Sequence, residues 1–187
     1  RDLLKRTWQK EISTESCGGT TDGKIANTII KSSKTSGSIS SGKTGGCFLA
    51  GTQVLTNKGK KDIDKIQIGD IVLSYNEDTG INEYNKVLNV YVHENLTEDL
   101  YTLTFDNSTL KVTESHRFYI EGEWIAAKDL KIGDKVMYAD GTYHTIKAIS
   151  YITESNTVYN FEVENNHNYY VGDKSILVHN IKVRVMI

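Results

Sequence analysis

From residue 47 onward the chain alternates short apolar runs with polar turn signals. Cys47–Thr56 opens the series as one expected strand, with Asn57-Lys58-Gly59 as its turn. Ile71–Tyr75, Lys86–Val92, Leu100–Phe105, Leu110–Thr113, Phe118–Ile120, Lys135–Tyr138, His144–Ile149, Val158–Val163 and Tyr169–Val171 come after it. Glu77-Asp78-Thr79-Gly80, Asp106-Asn107, Asp140-Gly141 and Gly172-Asp173 punctuate them. Val, Ile, Thr and Tyr suit a pleated, half-buried surface, and turns at this spacing predict an all-β sandwich or barrel. With no proline in the chain, Gly, Asn and Asp must make the turns.

One stretch occurs twice. Ile63-Asp64-Lys65-Ile66-Gln67-Ile68-Gly69-Asp70-Ile71-Val72 matches Ala127-Lys128-Asp129-Leu130-Lys131-Ile132-Gly133-Asp134-Lys135-Val136. In each copy a short helical turn leads through Gly-Asp into a strand. Two copies are too few for a solenoid and predict two related halves about a pseudo-twofold axis. Asp70 and Asp134 read as turn makers rather than catalysts.

The first 46 residues differ. Leu3, Leu4, Trp8 and Ile12 fall at roughly helical spacing over Arg1–Ile12, and from Lys31 to Gly46 only Ile39 is not Ser, Thr, Gly or Lys. This reads as a flanking segment over 1–46 (a short helix, then a flexible linker), a domain over 47–180 and a flank over 181–187. A start at Arg1 reads as a fragment of a longer polypeptide. The net charge of −2 combines eight Lys/Arg against four Asp/Glu in residues 1–46 with fourteen against twenty in the rest. So acidic a body argues against a nucleic-acid or anionic-membrane surface, and no apolar run reaches the roughly 18 residues of a membrane span. Two cysteines make no disulfide framework. Cys17, in its Cys-Gly-Gly setting, reads as a bystander thiol.

The chemistry-bearing residues sit at the edges of this domain. Cys47 directly follows Gly46, so its sulfur can reach the Gly46 carbonyl through a five-membered ring and convert the amide to a thioester. Activating its thiol requires a nearby base or positive charge. In Thr113-Glu114-Ser115-His116, a histidine titrating near neutrality can protonate the leaving nitrogen while the Thr113 hydroxyl holds the backbone. At the other end, Ile176-Leu177-Val178-His179-Asn180-Ile181 delivers a His-Asn pair. The Asn180 side-chain nitrogen can attack its own carbonyl and release the downstream segment, if a fold fixes the geometry. His179 can polarise that carbonyl, and His167, before the expected hairpin Tyr169–Val178, returns toward the same end. His93 and His144 read as surface residues. No ligand spacing supports a dedicated metal site, and no cofactor is implied.

The run Cys47-Phe48-Leu49-Ala50-Gly51-Thr52-x-Val54-Leu55-Thr56 resembles the opening motif of inteins and bacterial intein-like domains. Thr113-x-x-His116 resembles their Thr-x-x-His motif. Val158-Tyr159-Asn160-Phe161-x-Val163, then His167–Val171 and Ile176–Asn180, resemble their closing motifs. The resemblance spans residues 47–180 and implies the compact Hint (Hedgehog/intein) fold. It further implies an N-to-S acyl shift at Cys47, aided by Thr113 and His116, with cleavage between Gly46 and Cys47. Cyclisation of Asn180, aided by His167 and His179, would cleave Asn180–Ile181. Two positions depart from the pattern: Asn160 stands where many inteins have a coupling aspartate, and Ile181 where splicing inteins place Cys, Ser or Thr. Cleavage rather than ligation is therefore the expected outcome, with water or small thiols as acyl acceptors. The substrates would be the protein's own flanks, and a monomer is expected. Such domains also precede toxin modules in secreted polymorphic toxins, which leaves the compartment open. The competing expectation is an inactive Hint scaffold serving as a spacer.

Overall fold

The computed structural model describes residues 46–180. The expected helix at Arg1–Ile12, the body of the linker, Cys17 and Ile181 lie outside them. The strands are β1 (Phe48–Leu49), β2 (Gln53–Thr56), β3 (Gly59–Asp62), β4 (Ile71–Asn76), β5 (Ile81–Thr104), β6 (Thr109–Thr113) and β7 (Arg117–Ile120). They continue as β8 (Glu123–Ala126), β9 (Lys135–Met137), β10 (Tyr143–Thr145), β11 (Ala148–Val163), β12 (Asn168–Val171) and β13 (Ile176–His179). Two single 3₁₀ turns, Ile63–Lys65 and Ala127–Asp129, supply the helical geometry among the described residues. The fold is all-β, as the sequence pattern indicates.

Some strand bounds differ from expectation. The first expected strand breaks at Ala50-Gly51 into β1 and β2, where the Thr52 N–H donates to the Leu49 carbonyl at 3.2 Å. Two expected strands fuse into the 24-residue β5, whose interior Asn95 has φ 53°. β5 and β11 pair antiparallel over most of their lengths as one long arm.

One sheet runs in the order β1-β11-β5-β4-β2-β12-β13-β7-β8, with β3 on β2 and β6 on β5, and β9 and β10 form a separate pair. Phe48, Val54, Leu103, Phe118, Phe161 and Tyr169 lie in the main core, all fully buried. Each such side chain contributes roughly 1.5–3 kcal/mol through burial.

The repeat is visible bond by bond. Gly69 and Gly133 adopt φ of 92° and 98°, a conformation that favours glycine. The Gly69 N–H donates to Val87 and the Gly133 N–H to Ile146, both at 2.9 Å; the returning Val87 and Ile146 N–H groups donate to Asp70 and Asp134, both at 2.8 Å. Asp70 Oδ2 accepts the Gln67 N–H at 2.9 Å, and Asp134 Oδ2 the Lys131 N–H at 2.8 Å. The two acids therefore pin the turns.

Candidate functional site

The start of the domain is held at both atoms of one peptide bond. The Gly46 carbonyl accepts a 2.6 Å hydrogen bond from Asn160 Nδ2, and the Cys47 N–H donates to Thr113 Oγ1 at 2.7 Å. A third bond, from the Thr113 N–H to the Cys47 carbonyl at 3.1 Å, seats β1 beside β6. Asn160 is locked the right way round: its Oδ1 accepts from the Phe161 N–H at 2.8 Å and the Tyr169 hydroxyl at 3.0 Å, so the amide nitrogen must face Gly46. Asn160, Thr113 and Cys47 are all essentially inaccessible to solvent. In the sequence Asn160 figured only as a departure from a pattern. Its signal was a polar residue inside the apolar run Val158–Val163.

Cys47 is disulfide-bonded in this structure, which corrects the expectation of a free thiol. Its sulfur can attack a carbonyl only after reduction, since the thiolate is the nucleophile.

His116 lies against this bond. A Cβ added to Gly46 would fall 2.0 Å from the His116 Cα, so only glycine permits the approach. The imidazole packs among Phe48, at 4.3 Å between ring centroids, Phe118 and Tyr169. Burial pushes its pKa down to about 3; the Gly46 backbone opposes that shift and the nearby His179 adds to it. The expectation of a histidine titrating near neutrality is thereby corrected. In an apolar cage the charged form is disfavoured, and His116 is a neutral imidazole.

The end of the domain approaches from the other side. β13 pairs antiparallel with β7 through Val178 and Phe118, which brings His179 close enough to act on the His116 imidazole. The Asn180 N–H donates to the His167 carbonyl at 2.8 Å. The Asn180 carboxamide is buried at 2% exposure, and neither of its polar atoms has a hydrogen-bond partner. That leaves its nitrogen uncommitted. His167 has φ 53°, which turns its carbonyl toward Asn180, and Asn168 stands opposite His179 between β12 and β13. Thus Cys47, Thr113 and His116 gather at one end, and His167, His179 and Asn180 meet them across His116.

His93 is half-buried rather than on the surface, with burial lowering its pKa, while His144 stacks on Tyr138 at 3.7 Å. Among the described residues no group of three or more His, Cys, Asp or Glu is placed to hold a metal ion.

Most of the chain is similar to known proteins. The family model described as the pretoxin HINT domain matches residues 53–181. Among solved structures, the bacterial intein-like domain from Clostridium thermocellum is 35% identical, with a TM-score of 0.67 over 72% of this chain and 98% of that one. The gp41-1 intein is 31% identical, with a TM-score of 0.61 over 73% of this chain and all of its own. A DnaB intein from Synechocystis shares the fold at 19% identity, with a TM-score of 0.64 over 73% of this chain and 99% of that one. A search of curated protein sequences found no match.

Proposed function

Given that this chain belongs to the pretoxin Hint family and is an intein-like domain, we propose that it cuts the peptide bonds at its own two ends. The grip on Gly46–Cys47, with an amide donor on the carbonyl oxygen and a hydroxyl on the nitrogen, is the observation that carries the reading.

In the reduced protein the Cys47 thiolate attacks the Gly46 carbonyl carbon. Negative charge grows on the oxygen that Asn160 Nδ2 already contacts, and a donor aimed there stabilises it more than it stabilises the ground state. The carbon–nitrogen bond then breaks, the Cys47 nitrogen takes up a proton, and a thioester joins Gly46 to the sulfur. Neutral His116 serves as a hydrogen-bond donor here, as an imidazole of depressed pKa can. Water or a small thiol resolves the thioester and frees residues 1–46. At the other end Asn180 Nδ2 attacks its own carbonyl carbon, the bond to Ile181 breaks, and the departing nitrogen leaves protonated as a new amine. The domain keeps a C-terminal succinimide. The aliphatic Ile181 offers no nucleophile to receive the thioester, so ligation is a minor route. The reaction is a single turnover in cis within a monomer, with the flanks as substrate and no cofactor.

The disulfide at Cys47 favours a second reading, an inactive scaffold that serves as a spacer. Intact-mass time courses of the full chain, with and without dithiothreitol, separate the two. Cleavage after reduction supports processing; an intact chain under both conditions supports the scaffold. Within the first reading, Cys47→Ala abolishes upstream release and spares downstream release, and Asn180→Ala does the reverse. Downstream release that survives in Asn180→Ala would refute the cyclisation assignment.

A further inference from the structure

Beside His179 lies an aromatic shelf that the cleavage reading does not use. The Trp124 ring sits 4.9 Å from the His179 imidazole, at 71° between planes. Behind it, Trp124 packs on Tyr119 at 5.0 Å, its cross-strand partner in β7–β8, and Tyr119 on Tyr75 at 5.9 Å. Trp124 Nε1 donates to Glu77 Oε1 at 3.1 Å, which ties the indole to the turn after β4. On the opposite strand, Asn168 faces His179 and is clamped at both ends of its amide to the Tyr75 backbone, at 2.7 and 2.8 Å. His179 is therefore framed between a rigid β12 and a braced indole. Trp124 itself is only half-buried and lies at the edge of a minor cluster.

We propose that Trp124 is a positioning residue for the cyclisation of Asn180: it holds the His179 ring in the orientation that reaches the Asn180 carbonyl and favours the ring's protonated form. This rests on the cyclisation reading above. An imidazolium is attracted to the electron-rich face of an indole, and a braced ring loses less freedom on reaching the reactive geometry. The charged and titratable groups facing His179 set the balance. Arg117, next to the β7–β13 pairing at Phe118, disfavours a second positive charge, and the neutral His116 adds none. Trp124, with the Glu77 carboxylate behind it, acts in the other direction; Tyr119 stands beneath.

The test tracks both cleavages in the reduced full chain by mass spectrometry, for Trp124→Ala, Trp124→Phe and Glu77→Gln across a range of pH. Trp124→Ala is expected to slow release of residues 181–187 about tenfold while leaving upstream release within about twofold. The limb of its downstream pH–rate profile that reports the histidine should move to lower pH. Trp124→Phe should recover most of the rate, and Glu77→Gln should show a smaller change in the same direction as Trp124→Ala. An unchanged downstream rate and profile, or equal losses at both ends, overturns the proposal; the Phe and Gln variants decide it should the Ala variant not fold. Asn180→Ala run alongside separates the two failures. If it still releases the C-terminal flank, the cyclisation reading is wrong. If it blocks release while Trp124→Ala does nothing, only the role of Trp124 falls.

Discussion

The protein builds one stretch of backbone twice and gives it chemistry once. Moved forward by 64 residues, β2 falls on β7, β3 on β8, the first 3₁₀ turn on the second, and Gly69-Asp70 on Gly133-Asp134. The bonds match as well: the Ile63 N–H donates to the Thr52 carbonyl, and the Ala127 N–H to the His116 carbonyl, both at 2.8 Å. At that shared position one half carries a half-buried threonine and the other a fully buried histidine against the Gly46–Cys47 bond. Backbone hydrogen bonds are indifferent to the side chain they carry. A twofold scaffold therefore leaves the matched side chains free to diverge, and here only the second copy faces the two chain ends.

The largest effect should come from erasing that difference. His116→Thr makes the second copy resemble the first, and upstream release in the reduced protein should fall about 100-fold. Thr52→His, the reciprocal change, should leave both cleavage rates within about twofold, because that position faces neither end. Rates from intact mass, with thermal unfolding as the folding control, decide the matter. A His116→Thr protein that cleaves at the native rate would remove His116 from the chemistry. Because burial holds His116 near a pKa of 3, its protonation state should not shape the upstream pH–rate profile around neutrality.

How much of this was legible in the chain depends on how local each feature is. The Gly-Asp turns were readable because their donors and acceptors lie three residues apart. β5 read as two strands because Glu94-Asn95 interrupts its apolar alternation, yet β11 carries the pairing across the break. The hairpin partners β3, the polar Gly-Lys-Lys-Asp, and β8, as Glu-Trp-Ile-Ala, are too short to stand out, and pairing with β2 and β7 makes them strands. Asn160 reaches Gly46 across 114 positions, and Trp124 meets His179 only once β8 and β13 flank β7. The protonation of His116 was hidden too, since two of the three rings that bury it, Phe48 and Tyr169, are distant in sequence.

The arm of β5 and β11 offers a second contrast, between two buried glutamates. Glu162 accepts from Asn89 Nδ2 at 2.7 Å, whereas neither carboxylate oxygen of Glu98 has a partner at 7% exposure. Burial, with Glu114 and Asp99 nearby, pushes Glu98 from 4.5 up to about 8; Glu154 stands opposite it in the ladder. The folded protein thus keeps a proton that the unfolded chain releases above its ordinary pKa. The stability from this group is fully present below about pH 4.5 and is lost as pH rises through about 8. Glu98→Gln should match the native protein in acid and exceed it by about 2 kcal/mol near pH 9, read by urea unfolding. Glu162→Gln should show no such gain. Parallel curves for Glu98→Gln and the native protein at every pH would disprove the buried neutral acid.

The smallest effect tests the symmetry itself. Asp70 and Asp134 each accept one turn N–H, so replacing either with alanine should cost about 1 kcal/mol through a lost turn bond. Asp70 additionally pairs with Lys61 at 2.7 Å, a partly exposed contact that adds at most about 1 kcal/mol. Asp70→Ala should therefore be slightly the more damaging in urea unfolding, and neither change should alter one cleavage rate relative to the other. If Asp134→Ala instead slowed upstream release while Asp70→Ala did not, the turn beside His116 would belong to the reaction rather than to the frame, and the division between a shared scaffold and a single chemical copy would have to be redrawn at that residue.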